Sequence, residues 1–128
     1  MSKAMRGIHN DVDRSFKGKL EVIDVSESNK AFCNVLGCER CLKTVISVGD
    51  KSFGVVYPEA ISGEYQNVVS MVNVYNNPEF LGSFILFGIT DKGKLTSLTV
   101  EEVNFLLQSF SYAEYEDGKG KFWLWHVN

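Results

Sequence analysis

Positive charge, histidine, proline and long apolar runs are all scarce in this chain, and each scarcity narrows what it can be. Thirteen Lys and Arg stand against 16 Asp and Glu, a formal charge of −3. That balance argues against a nucleic-acid partner, because general binders of DNA or RNA carry a basic footprint. It also offers no polybasic pull towards anionic lipid. No apolar run approaches the roughly 20 residues a bilayer-spanning helix needs, so no membrane partner is expected. The start Met1-Ser2-Lys3-Ala4-Met5-Arg6 leads into no apolar h-region, and the sequence has no Asn-x-Ser/Thr sequon. With only three cysteines, an odd number, the expected compartment is the reducing cytoplasm.

Catalytic signatures are missing as well. The chain has no Gly-x-Ser-x-Gly elbow, Walker loop, dinucleotide fingerprint, His-Glu-x-x-His or EF-hand loop. Gly118-Lys119-Gly120-Lys121 precedes a strand pattern rather than opening a helix, so it lacks the amide cradle and dipole that hold phosphate. It reads as a hairpin turn. The sequence therefore points away from an enzyme without deciding the matter. No repeat, low-complexity stretch or linker divides the chain, and one domain over residues 1–128 is expected. At this size about two-thirds of the unfolded surface can be buried without a disulfide or metal staple.

What is present is strand pattern. Residues 1–19 are polar and hold five of the 13 basic residues; Ile8, Val12 and Phe16 are spaced for one helical face. They read as a polar arm or a short docked helix. Leu20–Val25 alternates as a strand. Ser26 and Ser28 offer caps for a helix carrying Ala31, Phe32, Val35 and Leu36, with Gly37 to close it. Leu42–Val48 and Ser52–Tyr57 flank Gly49-Asp50-Lys51 as a hairpin, and Pro58 ends its second strand. Val68–Tyr75 reads as a strand, followed by a turn at Asn76–Glu79 and one long strand from Phe80 to Thr90. In that run Phe84 and Leu86 fall on one face, and Ile85, Phe87 and Ile89 on the other, as in a central strand covered on both sides. Gly82 and Gly88 mark bulges or close packing.

Thr99-Val-Glu-Glu102 matches a capping box with Leu98 and Val103 as its hydrophobic staple. Val100, Val103, Leu106, Leu107 and Phe110 continue the helix. Tyr112–Glu116 and Phe122–Val127 form a closing hairpin. The predicted fold is α+β: a single domain with a mainly antiparallel sheet of about six to eight strands and two or three helices packed against it. The stretch Phe80–Tyr112 resembles the last strand and helix of GAF-type sensory domains. It covers about a quarter of the chain and brings no ligand-contacting motif with it.

Three groups of residues could carry function. Cys33-x4-Cys38-x2-Cys41 offers three thiols, and His126 or His9 could complete a tetrahedral zinc site. Cys38 follows the predicted helix C-terminus, where the dipole opposes thiolate formation, and this weakens a redox reading of Cys38-x2-Cys41. Cys33 reads equally as a small buried apolar residue. His9 stands beside Asn10, Asp11 and Asp13, a pattern more typical of an exposed turn or helix start than of acid–base chemistry.

The third group is aromatic and acidic: Trp123 and Trp125 on the last strand, Tyr112 and Tyr115 on the strand before it, with Glu114, Glu116 and Asp117 nearby. Tryptophan and tyrosine dominate protein-binding hot spots, an open edge accepts a neighbouring strand, and the acids would steer a basic partner. The competing reading inserts this strand into the core.

The first functional expectation is thus a small non-enzymatic protein-binding module, an adaptor or inhibitor covering a partner protein's surface. No cofactor is required, and the partner has a basic surface or is a second copy of the chain in a homodimer. The second is a sensory small-ligand domain of GAF/PAS-like architecture, with Gly82, Gly88, Phe84, Phe87 and Tyr75 around a pocket. The third is a small zinc-binding domain.

Overall fold

A strand that is apolar on both faces needs cover on both faces, and the computed structural model supplies it with a helix on each side of one sheet. The structure describes residues 4–12, 18–60, 69–72, 78–117 and 120–127. In chain order the elements are β1 (Ala4–Val12), β2 (Gly18–Ser26), α1 (Asn29–Leu36), β3 (Cys41–Val48), β4 (Lys51–Pro58), β5 (Val69–Val72) and β6 (Pro78–Leu81). They continue with β7 (Phe84–Ile89), β8 (Leu95–Thr96), α2 (Val100–Ser109), β9 (Phe110–Asp117) and β10 (Gly120–Val127).

Six strands make an antiparallel sheet in the order β2-β1-β7-β4-β3, with the short β8 paired to β7. β7 is central, as its two apolar faces predict. Phe84 and Leu86 enter one core cluster with Ile8, Phe53, Val55, Val103 and Leu106. Ile85 and Phe87 enter the other, with Met5, Val25, Phe32 and Val56. α2 therefore covers the first face and α1 the second. Each such fully buried side chain contributes about 1.5–3 kcal/mol of burial free energy. The stretch without Lys or Arg between Ser52 and Asp91 includes β7 and all of β4 after its first residue, Lys51, two of the three interior strands of this sheet.

The two helices start and stop as their sequences direct. The Ser28 hydroxyl accepts from the Ala31 amide at 3.1 Å. Gly37 closes α1 in the left-handed region at φ 68°, where its amide donates to the Cys33 carbonyl. α2 opens on the predicted capping box at Thr99 and Glu102, and the staple residues Leu98 and Val103 sit in one core cluster. The segment before α2 is tied back to β1: the Arg6 amide donates to the Ser97 hydroxyl at 2.7 Å, and the Leu98 amide to the Arg6 carbonyl at 2.9 Å.

The predicted α+β class holds, and two local readings change. Residues 4–12 form β1 rather than an arm or docked helix, because β2 and β7 hydrogen-bond to it from either side. The ladder with β2 runs from Ala4 opposite Ser26 to Val12 opposite Gly18, and tertiary pairing overrides the helical spacing of the few apolar residues. The predicted long strand from Phe80 to Thr90 breaks at Gly82, where φ is 66°. β6 on one side of the break and β7 on the other then belong to different sheets. The second sheet, in the order β6-β5-β10-β9, is antiparallel except where β5 runs parallel to β10. Tyr75, Asn76 and Asn77, with Gly118 and Lys119 of the predicted hairpin turn, lie outside the described residues.

Candidate functional site

The closing hairpin forms as predicted, and its register sorts the aromatic and acidic residues. Trp125 stands opposite Tyr112, Trp123 opposite Glu114, Phe122 opposite Tyr115 and Lys121 opposite Glu116. Directly opposed residues share a face and alternate residues do too. Trp123, Trp125, Tyr112, Glu114 and Glu116 therefore occupy one face of the ladder, with Lys121 among them. Tyr115 and Asp117 fall on the other. The structure thus brings five of the seven predicted residues together and separates two.

Position in the sheet matters as much as face. β10 is interior, flanked by β9 and β5, with Trp125 in register with Met71. Among the described residues the sheet ends on β6 at one side and, beside β10, on β9 at the other. The open edge predicted for the tryptophan strand therefore lies one strand over, on the segment Phe110-Ser-Tyr-Ala-Glu-Tyr-Glu-Asp117, which has no basic residue. At its start Phe110 is buried in the α2-side core, so the ladder is anchored at that end.

The cysteines also come together. Cys33 lies in the last turns of α1, Cys38 follows its Gly37 cap, and Cys41 opens β3. The capping turn draws Cys38 back, its amide donating to the Cys33 carbonyl at 3.1 Å. The Cys33 thiol donates to the Glu39 carbonyl at 3.5 Å, so its sulfur lies at the turn between Cys38 and Cys41, and it is the side chain that acts on both of those thiols. Burial, followed by the contact with Cys33, pushes the Cys38 thiol up to about 11; the nearby Arg40 amide offsets part of this. Cys41 is likewise pushed up to about 11 by burial and by Cys33, with Lys43 opposing. Both are protonated at neutral pH.

All three cysteines are free and half-buried. Among the described residues no group of three His, Cys, Asp or Glu side chains is placed to hold a metal ion. The zinc reading thus finds no assembled ligand set there. His126 stands on β10 opposite Ser111, in register with Val72.

His9 and Asn10 depart most from expectation. Rather than lying in an exposed turn, they sit on the interior strand β1, at 8% and 0% exposure. The register puts His9 between Glu21 on β2 and Ile85 on β7. Its Nε2 is buried without a hydrogen-bond partner. Desolvation lowers its pKa, with Asp11 and then Glu21 pulling the other way. The residues proposed to surround a sensory pocket are also divided. Phe84 and Phe87 are fully buried on opposite faces of β7, so the two do not line one cavity. Gly88 is a close-packing position, where an added Cβ would meet Thr96 at 2.9 Å.

The spacing groups Cys33, Cys38 and Cys41 but does not by itself place the Cys33 sulfur at the turn between the other two. The signal was available in the predicted helix cap, since a turn that closes on Gly37 returns the chain towards residue 33. No helix among the described residues is long and apolar enough to cross a membrane. Comparison of the chain with protein families, curated proteins and solved structures gives no match.

Proposed function

We propose that the protein is a binding module that accepts an extended, basic segment of a partner protein along β9. The observation that carries this reading is the position of β9 at the end of its ladder with Glu114, Glu116 and Asp117 along it and no Lys or Arg. An edge strand presents unpaired amides and carbonyls to a partner strand, and alternate side chains supply selectivity. Charge complementarity selects lysine- or arginine-bearing partners and speeds their encounter. Trp123 and Trp125, one strand in, share the face of Glu114 and Glu116, where they would support the apolar residues of such a segment.

The test uses a ten-residue peptide of alternating Lys and Val, with one of alternating Glu and Val as control, titrated against the full chain. Binding is read from tryptophan emission at low and high salt. The lysine peptide is expected to bind, to weaken as salt rises, and to lose affinity in the Glu114→Lys, Glu116→Lys double variant. Equal affinity for the two peptides, or binding unaffected by the double variant, would overturn the reading.

A further inference from the structure

We propose that the three thiols at the turn between α1 and β3 form a redox-modification site for small-molecule disulfides, with Cys33 the member common to every internal disulfide that forms. The geometry singles out Cys33. Its thiol donates to the Glu39 carbonyl at 3.5 Å, which places its sulfur at the turn between Cys38 and Cys41, and it is the side chain that acts on both of their thiols. The backbone holds this arrangement. The Gly37 cap fixes Cys38 against the Cys33 carbonyl, and the Arg40 carbonyl accepts from the Glu59 amide at 3.0 Å as β3 begins. Cys41 opposite Pro58 is the first rung of the β3–β4 ladder.

The chemistry is a pair of exchanges. One thiol of the cluster, as its thiolate, attacks a sulfur of the small disulfide, giving a mixed disulfide and releasing one small thiol, which takes up the proton. A neighbouring cluster thiol then attacks the protein sulfur of that mixed disulfide. The second small thiol leaves, and an internal disulfide remains. Two protein thiols are oxidised and one small disulfide is reduced to two thiols. The product staples the C-terminal end of α1 to the turn or to the first residue of β3, an edge strand of the six-stranded sheet.

The protonated state of Cys38 and Cys41 sets the kinetics and the equilibrium in opposite directions. Thiolates of Cys38 and Cys41 are rare at neutral pH, so attack by either is slow and accelerates as the solution becomes alkaline. The reduced state gains nothing from a stabilised thiolate, so the disulfide, once made, resists small thiols. The site is therefore a slow staple rather than a fast sensor.

The experiment incubates the full chain, native, with graded ratios of oxidised to reduced glutathione at pH 7, 8 and 9. Samples are quenched in acid, alkylated and weighed intact, and peptides are mapped for the linked pair. The wild type is expected to lose two alkylatable thiols and keep one, with Cys33 in the linked pair and a rate rising about tenfold per pH unit. Cys38→Ser and Cys41→Ser each retain one internal disulfide, whereas Cys33→Ser takes up only mixed disulfides. Three alkylated thiols in the wild type, an unlinked mixed disulfide as its end product, or a mapped Cys38–Cys41 bond would each overturn the proposal. The wild-type peptide map decides the matter without relying on the fold of any variant.

Discussion

Gly7 on β1 and Phe87 on β7 approach so closely that the ring fills the space where residue 7 would otherwise carry a side chain. A Cβ added to Gly7 would stand 2.7 Å from Cε1 of Phe87 and 2.9 Å from the Leu86 carbonyl oxygen. The same ring meets Phe32 of α1 at 5.3 Å between centroids. Three elements distant in sequence thus converge on one phenyl ring, and the absent side chain of Gly7 lets the sheet close there beneath α1.

Gly7→Ala is accordingly expected to destabilise, although alanine restricts the unfolded chain more than glycine does. Overpacking of this kind costs about 1–3 kcal/mol. Urea denaturation should show a lower midpoint with an unchanged slope. Adding Phe87→Leu should recover part of the loss, since the two sites are in contact and their effects are not additive. An unaltered midpoint for Gly7→Ala would mean that the ring yields freely.

The first turn of α2 offers a second test. The Glu102 amide donates to the Thr99 hydroxyl at 3.0 Å, and the Thr99 amide donates to the Glu102 carboxylate at 3.0 Å. Thr99→Ala should lower stability by about 1 kcal/mol, as for N-caps in general. Thr99→Ser should restore most of it. A serine variant no better than alanine would show that the hydroxyl contributes little.

How much of this was legible in the sequence depends on where each interaction is made. The capping box, the Gly37 cap and the two faces of β7 are local patterns, and residues within a few positions of one another specify them. β1 was illegible for the opposite reason. Its place between β2 and β7 is set in part by a partner far along the chain, and its buried positions hold Gly7, His9 and Asn10 beside Met5 and Ile8 rather than an apolar alternation. The break at Gly82 belongs with it, since nothing local distinguishes a long strand from two strands in separate sheets. The hairpin of β9 and β10 was legible, but the position of β10 one strand in from the edge required knowing that β5 pairs with β10.

Neighbouring leucines on α2 check which face of the helix is covered. Leu106 is 0% exposed within the core, whereas Leu107 is 41% exposed. Leu106→Ala should cost about 2–5 kcal/mol by leaving a cavity, and Leu107→Ala well under half as much. Thermal unfolding of the two variants side by side settles it, and similar losses would mean that α2 is rotated from the position described.

His9 makes stability depend on pH with a definite sign. In the unfolded chain it titrates near its ordinary value of 6.5, and in the folded protein burial lowers its pKa, against the opposing pull of Asp11 and Glu21. Below 6.5 the unfolded state accepts a proton that the folded state still refuses. The stability associated with neutral His9 is therefore complete above the unfolded value and declines as pH falls from there to the folded value. Below that both states are charged and the decline ends. The check is urea denaturation of wild type and His9→Gln at intervals from pH 8 to pH 4.5. Carboxylates elsewhere affect both proteins alike, so the difference between the two curves isolates His9. The wild type should lose stability relative to the variant as pH drops below 6.5. If the curves stay parallel, the imidazole is solvated in the folded protein and its burial beside Ile85 does not persist in solution.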